Sequence, residues 1–263
     1  MRNLVPAVQI FTLRQFTQTP EGLEMCFRRI KQMGCDTVQI SRIGETIPAD
    51  FVTSLCKEYD MKICVTHSPL ERIFNDLPKL IQEHKDWGCD SIGLGNLNHQ
   101  YLDDGYEGYC RFLKDMEPVI KELKANDMKF AYHSHTYEFV KYKGRLMYDM
   151  LIEETDPYTF NFIQDSFWMR YGGINHIDYI RKVSGRMKVL HVKDYTTRLD
   201  FFSNVEGIFG TMGEGNIDYP PILDACEKAG VKYLAIEQDI CLRDPFDCLN
   251  DALIELRRLI SAN

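Results

Sequence analysis

The chain has 263 residues, of which 44% are hydrophobic and 27% are charged, and its formal net charge at pH 7 is −8. This composition is typical of a globular protein with a large apolar core, and the acidic balance argues against nucleic acid as a partner, because binding along a phosphate backbone requires many Lys and Arg side chains. No apolar run approaches the ~20 residues that span a bilayer, and the start MRNLVPAVQIF has too short an apolar region for a signal peptide. The sequence therefore predicts a cytoplasmic protein that binds neither nucleic acid nor a membrane.

Eight short β-rich runs recur along the chain. They are VPAVQIF 5–11, TVQIS 37–41, KICVTHS 62–68, SIGLGN 91–96, KFAYHSH 129–135, NFIQDSF 161–167, VLHVKDY 189–195 and YLAIEQD 233–239. Most are separated by segments with apolar residues three and four apart, a spacing typical of amphipathic helices. These segments are 21–33, 49–60, 77–88, 108–127 and 219–230. A repeated order of strand and helix predicts parallel pairing of the strands.

The joints between helices and strands share one pattern. Gly34, Gly88 and Gly230 each follow the last predicted helical turn, where the left-handed backbone conformation costs a glycine little. Asp60 and Asn126 stand near the same place in two other joints. No Pro-, Gly- or Ser-rich linker divides the chain. These features predict a single-domain α/β fold over residues 1–263, a (β/α)8 TIM barrel.

The glycine-rich run GIFGTMGEG 207–215 follows the seventh predicted strand. A doubly wound sheet would instead carry its nucleotide-binding turn after the first strand. The run precedes NIDYPPIL, in which Asp218 is suited to an N-cap and the prolines to a first helical turn. It predicts a long flexible loop rather than a nucleotide site.

The nine cysteines form no Cys-x-x-Cys pair, and their number is odd. Several lie in apolar strand or helix patterns. The spacing typical of cysteine zinc sites is missing. The sequence therefore predicts reduced, buried thiols.

Polar side chains stand at the carboxyl ends of the later predicted strands, the end at which TIM-barrel enzymes place their chemistry. They are Thr66, His67, Asn96, His133, His135, Glu138, Gln164, Asp165, His191, Lys193, Glu237, Gln238 and Asp239. Leaving such a group unpaired in an apolar run is costly. A divalent cation shared by Glu138, Asp165, His191 and Glu237 would compensate several of them together. Taken alone, each carboxylate could instead cap a helix or pair with Lys or Arg.

The run YHSHTYEF 132–139 leaves two questions open. Strand parity places His133 and His135 on one face, whereas Glu138 lies beyond the strand and needs a bulge or turn to point inward. One histidine is expected to contact substrate and the other to support it. Lys193, on the same strand face as His191, is suited either to stabilising a developing oxyanion or to a structural salt bridge.

The motifs HSHTYEF, QDSFW, GRMKVLHVKDY, GEGNIDYPPIL and AIEQD, in this order, resemble the sugar phosphate isomerase/epimerase family of xylose isomerase-like TIM barrels. The resemblance covers most of the chain and is most specific from residue 131 to residue 239. It implies one divalent metal ion (Mn, Co, Mg or Zn) held by Glu138, Asp165, His191 and Glu237. It also implies that the two glutamates move protons beside a carbonyl group that the metal polarises.

Two positions depart from the family pattern. Many such epimerases carry the strand-5 glutamate where this chain has His133, and a substrate-binding histidine often stands where this chain has Trp168. An aromatic wall suits the C–H face of a sugar or a larger aglycone. The residues expected to act in catalysis are Glu138, Glu237, His133 and Lys193. Those expected at the substrate are His67, Asn96, His135, Gln164, Trp168, Arg198 and Asp239.

Three classes of function stay open. The resemblance favours a metal-dependent carbohydrate isomerase or epimerase that acts through an enediolate. The alternative is a lyase or dehydratase that eliminates water or a glycosidic leaving group from a keto-sugar or keto-inositol, for which His133 or His135 would be a natural acid. The third is a non-catalytic barrel, or a subunit whose pocket needs a partner.

The expected substrate is a small carbohydrate. Apart from Lys193, Arg198 and the 207–215 glycines, no Arg/Lys cluster or phosphate-cradling loop is evident near strands 7 and 8, which favours a neutral sugar or polyol over a phosphorylated one. A repair nuclease shares the general barrel, but the acidic balance speaks against it. A homo-oligomer is expected only because oligomers are common.

Overall fold

The computed structural model describes residues 2–199 and 205–262. Eight strands form one parallel sheet that curls into a nearly closed barrel. They are β1 (Val5–Gln9), β2 (Thr37–Ser41), β3 (Lys62–His67), β4 (Ser91–Leu94), β5 (Lys129–His133), β6 (Phe160–Asp165), β7 (Val189–Val192) and β8 (Tyr233–Ile236). The order in the sheet is β3-β2-β1-β8-β7-β6-β5-β4. The predicted (β/α)8 fold is confirmed.

The barrel closes where β3 and β4 lie side by side. At this seam the backbone N–H of Ser68 donates to the carbonyl oxygen of Gly93 at 2.7 Å. Since the strands are parallel, their carboxyl ends all open at one mouth of the barrel.

Helices surround the barrel and connect the strands. They are α1 (Pro20–Gln32), α2 (Ala49–Glu58), α3 (Leu70–Asn75), α4 (Leu77–Asp86), α5 (His99–Leu102), α6 (Gly105–Ala125), α7 (Met147–Glu154), α8 (Ser166–Tyr171), α9 (His176–Lys182), α10 (Tyr219–Ala229) and α11 (Pro245–Ser261). Short 3-10 helices follow β1 (Ile10–Leu13) and β5 (Tyr137–Phe139), and Lys141–Tyr142 pairs with Arg145–Leu146 as a small hairpin. Among the described helices, none is both long and apolar enough to cross a lipid bilayer.

The core has two layers. Small side chains from alternate strand positions fill the barrel interior, including Ala7, Cys64, Ala131 and Ala235. Larger apolar residues fill the layer between the barrel and the helices. Because strands in such a fold are buried on both faces, β2 is buried at all five positions. Most of the polar side chains at the inward positions near the mouth are buried as well.

The helix-to-strand joints adopt the predicted backbone conformation. Gly34, Gly88 and Gly230 have φ of 75°, 65° and 80°. Asp60 has φ of 49°, and in the fifth joint Asp127 (φ 55°) takes this conformation in place of the predicted Asn126. A short polar side chain tolerates the left-handed region better than most, which is why Asp stands here without glycine.

The glycine-rich run differs from the prediction of a flexible loop. Residues Asp194–Leu199 and Val205–Gly210 form an antiparallel hairpin at the mouth, which we call the rim hairpin. The chain after it folds around the buried carboxylate of Asp194. This carboxylate accepts hydrogen bonds from the backbone N–H groups of Tyr195 (2.8 Å), Gly213 (3.0 Å), Gly215 (3.2 Å) and Ile217 (3.2 Å). Glycine is needed at 215 because a Cβ there would lie 2.3 Å from Asp194 Oδ1.

All nine cysteines lie in the described ranges and are free thiols. Six are buried, Cys56 and Cys241 are half-buried, and Cys110 is exposed. Burial raises the pKa of Cys26 to about 12, so this thiol stays protonated. The prediction of reduced thiols is confirmed, although their burial is incomplete.

Candidate metal centre

Four buried side chains meet at the mouth of the barrel. His133 ends β5, Asp165 ends β6, His191 lies in β7 and Glu237 follows β8. Each offers one ligand atom, and these atoms all lie within 4.8 Å of one another. Asp165 Oδ2 is 3.5 Å from His133 Nε2 and 3.6 Å from His191 Nδ1, and Glu237 Oε2 is 3.0 Å from His191 Nδ1. We call these four residues the mouth cluster.

Each histidine of the mouth cluster has an outer nitrogen, which points away from the cluster, and an inner nitrogen, which points into it. The partner of the outer nitrogen indicates where the ring carries its proton. His133 Nδ1 lies 3.0 Å from the carbonyl oxygen of Gly95, and His191 Nε2 lies 2.9 Å from Oε1 of Gln39. Both partner oxygens only accept, so the outer nitrogens donate, and in the neutral ring the lone pair is then on the inner nitrogen. His133 Nε2 and His191 Nδ1 face the two carboxylates, and in the neutral rings they are the nitrogens that can bind a cation.

Apart from the ion pairs with Lys193 described below, the inner atoms of the mouth cluster have no hydrogen-bond partner within the described part of the chain. They are His133 Nε2, Asp165 Oδ2, His191 Nδ1 and Glu237 Oε2. Buried acceptors that face one another are unfavourable unless a positive charge lies between them. Two nitrogen and two oxygen donors suit the divalent ions that proteins bind through imidazole and carboxylate. The residues present fit such an ion.

Lys193 brings a positive charge to the edge of the mouth cluster. Its Nζ lies 3.1 Å from Asp165 Oδ2, 2.9 Å from Glu237 Oε2 and 2.9 Å from Asp239 Oδ1. Burial would lower the pKa of this ammonium, but the three carboxylates raise it instead. Among the described side chains at the mouth, three carboxylates thus face one ammonium. With the histidines neutral, as they are when they bind a metal, two negative charges stay uncompensated, which one divalent cation would balance.

The same charges set the protonation of the cluster. Burial alone would raise the pKa of Asp165 and of Glu237, but Lys193 and the neighbouring histidines hold both well below their usual range. Burial alone would lower the pKa of His191, but Glu237 and Asp165 raise it. Both carboxylates are therefore ionised at neutral pH, the form that binds a cation.

Glu138 does not join the mouth cluster, and here the structure differs from the prediction. After β5 the chain turns into the 3-10 helix Tyr137–Phe139 and carries the Glu138 carboxylate to the outer side of the strand. There Oε1 accepts from the hydroxyl of Tyr132 at 2.6 Å, and Oε2 accepts from the backbone N–H of His135 at 2.8 Å. Burial raises the pKa of Glu138 to about 7, against the effect of these hydrogen bonds. His133 stands in the cluster in its place.

Several side chains predicted at the substrate border the mouth cluster. The ring of His67 lies 5.0 Å from that of His133, centroid to centroid. His135 lies 4.5 Å from His133 and 5.3 Å from Trp168. Asp239 pairs with Lys193, as described above. The structure therefore brings His67, His135, Trp168 and Asp239 together around one pocket.

Three other side chains predicted at the substrate are engaged elsewhere. Gln164 points to the outer face of β6, where its Nε2 donates to the carbonyl oxygen of Tyr179 at 2.9 Å. It precedes the inward-facing Asp165, and consecutive strand residues face opposite sides. Asn96 is exposed and accepts from the hydroxyl of Tyr137 at 2.8 Å. Arg198 pairs with Glu206 across the rim hairpin.

Comparison with known proteins agrees with this architecture. No protein-family model matches the chain. The inosose dehydratase of Geobacillus thermodenitrificans (strain NG80-2) is 27% identical over 249 residues, which cover 90% of this chain and 69% of that protein. The inosose dehydratase of Clostridium perfringens (strain 13 / Type A) is 28% identical over 265 residues, which cover 86% of this chain and 87% of that protein.

Among solved structures, a sugar phosphate isomerase/epimerase from Parabacteroides distasonis ATCC 8503 superposes with a TM-score of 0.78 and 19% identity, covering 97% of this chain and 98% of that one. The chain has the TIM-barrel fold of that protein. The expected resemblance is thereby confirmed at the level of the fold.

Some residues at the mouth of this TIM barrel were missed by sequence reasoning. Gln9, the last residue of β1, and Gln39, the middle residue of β2, are fully buried amides. A glutamine inside an otherwise apolar run was the available signal. Phe209 of the rim hairpin lies 4.2 Å from Phe167, centroid to centroid, and 5.7 Å from Lys193 Nζ. No sequence pattern predicted that Phe209 would lie at the mouth, because it belongs to the run that was predicted as a loop.

Proposed function

We propose that this barrel is a divalent-metal-dependent lyase that removes water from a neutral keto-polyol or keto-sugar. The observation that carries the proposal is the position of Glu138 outside the mouth cluster, with His133 in its place. An epimerase takes a proton from one face of its substrate and returns one to the other, for which two glutamates on opposite sides are suited. A dehydration can proceed with one group on one face of the substrate, which takes the proton from carbon and gives it to the leaving hydroxyl. The inosose dehydratases among the sequence relatives support the same choice.

His133, Asp165, His191 and Glu237 would hold the metal ion, which is Mn, Co, Mg or Zn. When bound, the ion would polarise the substrate carbonyl and make the neighbouring C–H more acidic. Lys193 keeps Asp165 and Glu237 ionised. Its ammonium also lies where it can stabilise negative charge that develops on the substrate.

His135 is the group that moves the proton. The hydroxyl of Tyr137 donates to Asn96 Oδ1 at 2.8 Å, so its oxygen accepts from His135 Nδ1 at 3.2 Å. The proton of His135 is then on Nδ1, and Nε2 carries a lone pair. His135 Nε2 takes the proton next to the carbonyl and gives it to the hydroxyl on the following carbon. The C–O bond breaks as the carbon–carbon double bond forms, and water leaves. Glu237 is the alternative base.

A carbohydrate isomerase or epimerase is the second candidate. Its first step, removal of a proton beside the carbonyl, is the same, and Asp165, His191 and Glu237 of the family pattern all stand in the mouth cluster. The two candidates part only in what happens to the intermediate. It either regains a proton on carbon or expels a hydroxyl group.

The test begins with elemental analysis of the purified protein. The protein is then stripped with a chelator, reloaded separately with Mn, Co, Mg or Zn, and incubated in D2O with inosose or with a neutral ketose. We expect NMR to show an unsaturated product that has lost water, formed from inosose by reloaded protein only. Deuterium beside the carbonyl with all oxygens retained would support the epimerase. Absence of metal, together with no turnover after reloading, would contradict both.

The role of His135 has its own variant. We expect His135→Asn to bind metal as the wild type does and to lose turnover by about 10²- to 10⁴-fold, the usual contribution of a positioned acid or base. His99→Asn is the matched control, because His99 is exposed on α5 and pairs only with Asp103 among the described residues. Unchanged turnover in the His135 variant would move the role to Glu237.

A further inference from the structure

The buried polar atoms without partners at the mouth fall into two chemical classes. The four acceptors of the mouth cluster form one class. The second contains three atoms that also lack a partner within the described ranges, namely His67 Nε2, Gln39 Nε2 and Trp168 Nε1. The amide of Gln39 and the indole of Trp168 are donors by chemistry. Whether His67 Nε2 is a donor depends on which ring nitrogen holds the proton.

A chain of two hydrogen bonds fixes the proton of His67. The backbone N–H of Phe11 donates to Gln9 Oε1 at 3.2 Å, so the amide of Gln9 directs its Nε2 the other way. That Nε2 lies 3.3 Å from His67 Nδ1. An amide nitrogen can only donate, so His67 Nδ1 accepts and the proton is on Nε2.

The three neighbouring imidazoles therefore present opposite chemistry. In their neutral forms His133 and His191 turn lone pairs toward the carboxylates, whereas the unpaired nitrogen of His67 is an N–H. The ring of His67 lies 5.3 Å from that of His191, centroid to centroid. Burial, followed by the presence of His133 and His191, lowers the pKa of His67 well below its usual value. His67 is a neutral donor beside a group that would hold a cation.

We propose that His67 contacts the substrate by donating its Nε2–H to a substrate oxygen, and that Gln9 is the positioning residue that selects this tautomer. The identity of the substrate rests on the proposed function, whereas the tautomer does not. With Gln39 Nε2 and Trp168 Nε1, the pocket offers buried donors to several oxygen atoms. Such a lining suits a neutral polyhydroxylated ketone, and a buried donor left unpaired would disfavour an analogue that lacks the matching oxygen.

The tautomer is tested on the metal-free protein without substrate. Long-range ¹H–¹⁵N correlation spectra of ¹⁵N-histidine-labelled protein distinguish an Nε2–H ring from an Nδ1–H ring. We expect the Nε2–H pattern for His67, assigned by its loss in His67→Asn. In Gln9→Leu the constraint is removed, and we expect the two tautomers to mix. An Nδ1–H pattern for His67 in the wild type would overturn the inference, whatever the protein binds.

The contact with substrate is tested with a matched pair of variants. The amide of His67→Gln can place a donor near the position of Nε2, whereas that of His67→Asn reaches only the position of Nδ1. We expect the KM for inosose to rise by about 10- to 100-fold in His67→Asn and by much less in His67→Gln, the range that an unpaired buried group implies.

Metal affinity, measured by titration calorimetry with Mn²⁺, separates this role from that of a ligand. We expect His67→Asn to bind Mn²⁺ as the wild type does, whereas His191→Ala does not. A loss of Mn²⁺ affinity in His67→Asn, or equal KM values in the two His67 variants, would overturn the proposal. Failure of inosose to react with wild-type protein whose His67 shows the expected tautomer would instead count against the proposed function.

Discussion

A buried carboxyl group at Glu138 makes the stability of the fold depend on pH. Burial raises its pKa in the folded chain to about 7, from 4.5. Because the folded state holds this proton more tightly than the unfolded state, the group's favourable contribution is fully present below about pH 4.5 and is lost as the pH rises through about 7. We expect Glu138→Gln, which cannot ionise, to gain about 3 kcal/mol relative to the wild type between about pH 4 and about pH 8.

Urea unfolding at both pH values measures this gain. Glu153→Gln, at an exposed position, controls for the loss of a negative charge. A difference in stability between Glu138→Gln and the wild type that is equal at the two pH values would contradict the assignment.

Position 138 also shows where the direction of a side chain could not be predicted from the sequence. Asp165, His191 and Glu237 lie in strands or directly after them, where alternation determines which side chains face the pocket. Glu138 follows a turn, and alternation says nothing about direction beyond a turn. For Gln164 the information was present, because it stands next to Asp165 and the two cannot both point inward.

At the scale of elements, the rim hairpin depends on the buried carboxylate of Asp194. Four backbone N–H groups donate to this carboxylate. We expect Asp194→Ala to lower the free energy of unfolding by about 2–4 kcal/mol, because it leaves several of these donors unpaired. Urea unfolding measures the loss, and limited proteolysis should show new cleavage between residues 194 and 217. Asp194→Asn keeps one acceptor oxygen and should lose less. Equal stability and protease resistance in the alanine variant would show that the hairpin is held by other contacts.

The hairpin also shows why composition misled the prediction for 207–215. Glycine suggested flexibility, but here it permits close packing. A Cβ at Gly207 would lie 2.5 Å from the Tyr195 ring, and one at Gly215 would overlap Asp194. Both contacts join residues far apart in sequence, so no local pattern could reveal them. The eight barrel strands could be predicted because their signals, alternation and apolar runs, are local.

At the scale of the whole molecule, the uncompensated charge at the mouth should couple metal binding to stability. A ligand that binds only the folded state, at a hundred times its Kd, adds about 2.7 kcal/mol. For a chain of this size that corresponds to a rise in Tm of about 5–10 °C. We expect this shift when Mn²⁺ or Zn²⁺ is added to chelator-treated protein, followed by differential scanning calorimetry.

Variants of Glu138 and His133, the two candidate metal ligands in and after β5, show which of them is responsible for the Tm shift. Glu138→Gln should keep the full Tm shift because its side chain faces away from the cluster. His133→Ala should lose most of it. The reverse result would restore Glu138 as a ligand and would require the turn after β5 to rearrange when metal binds.

Gly95, in the loop after β4, contacts two histidines, His133 and His67. Its carbonyl oxygen accepts from His133 Nδ1 at 3.0 Å, and a Cβ on it would lie 2.7 Å from His67 Nδ1. A larger residue here would force the His67 ring aside or pull the backbone away from His133. A library that varies position 95 to redesign this scaffold for new substrates would therefore sample mostly proteins in which one of the two histidines is displaced.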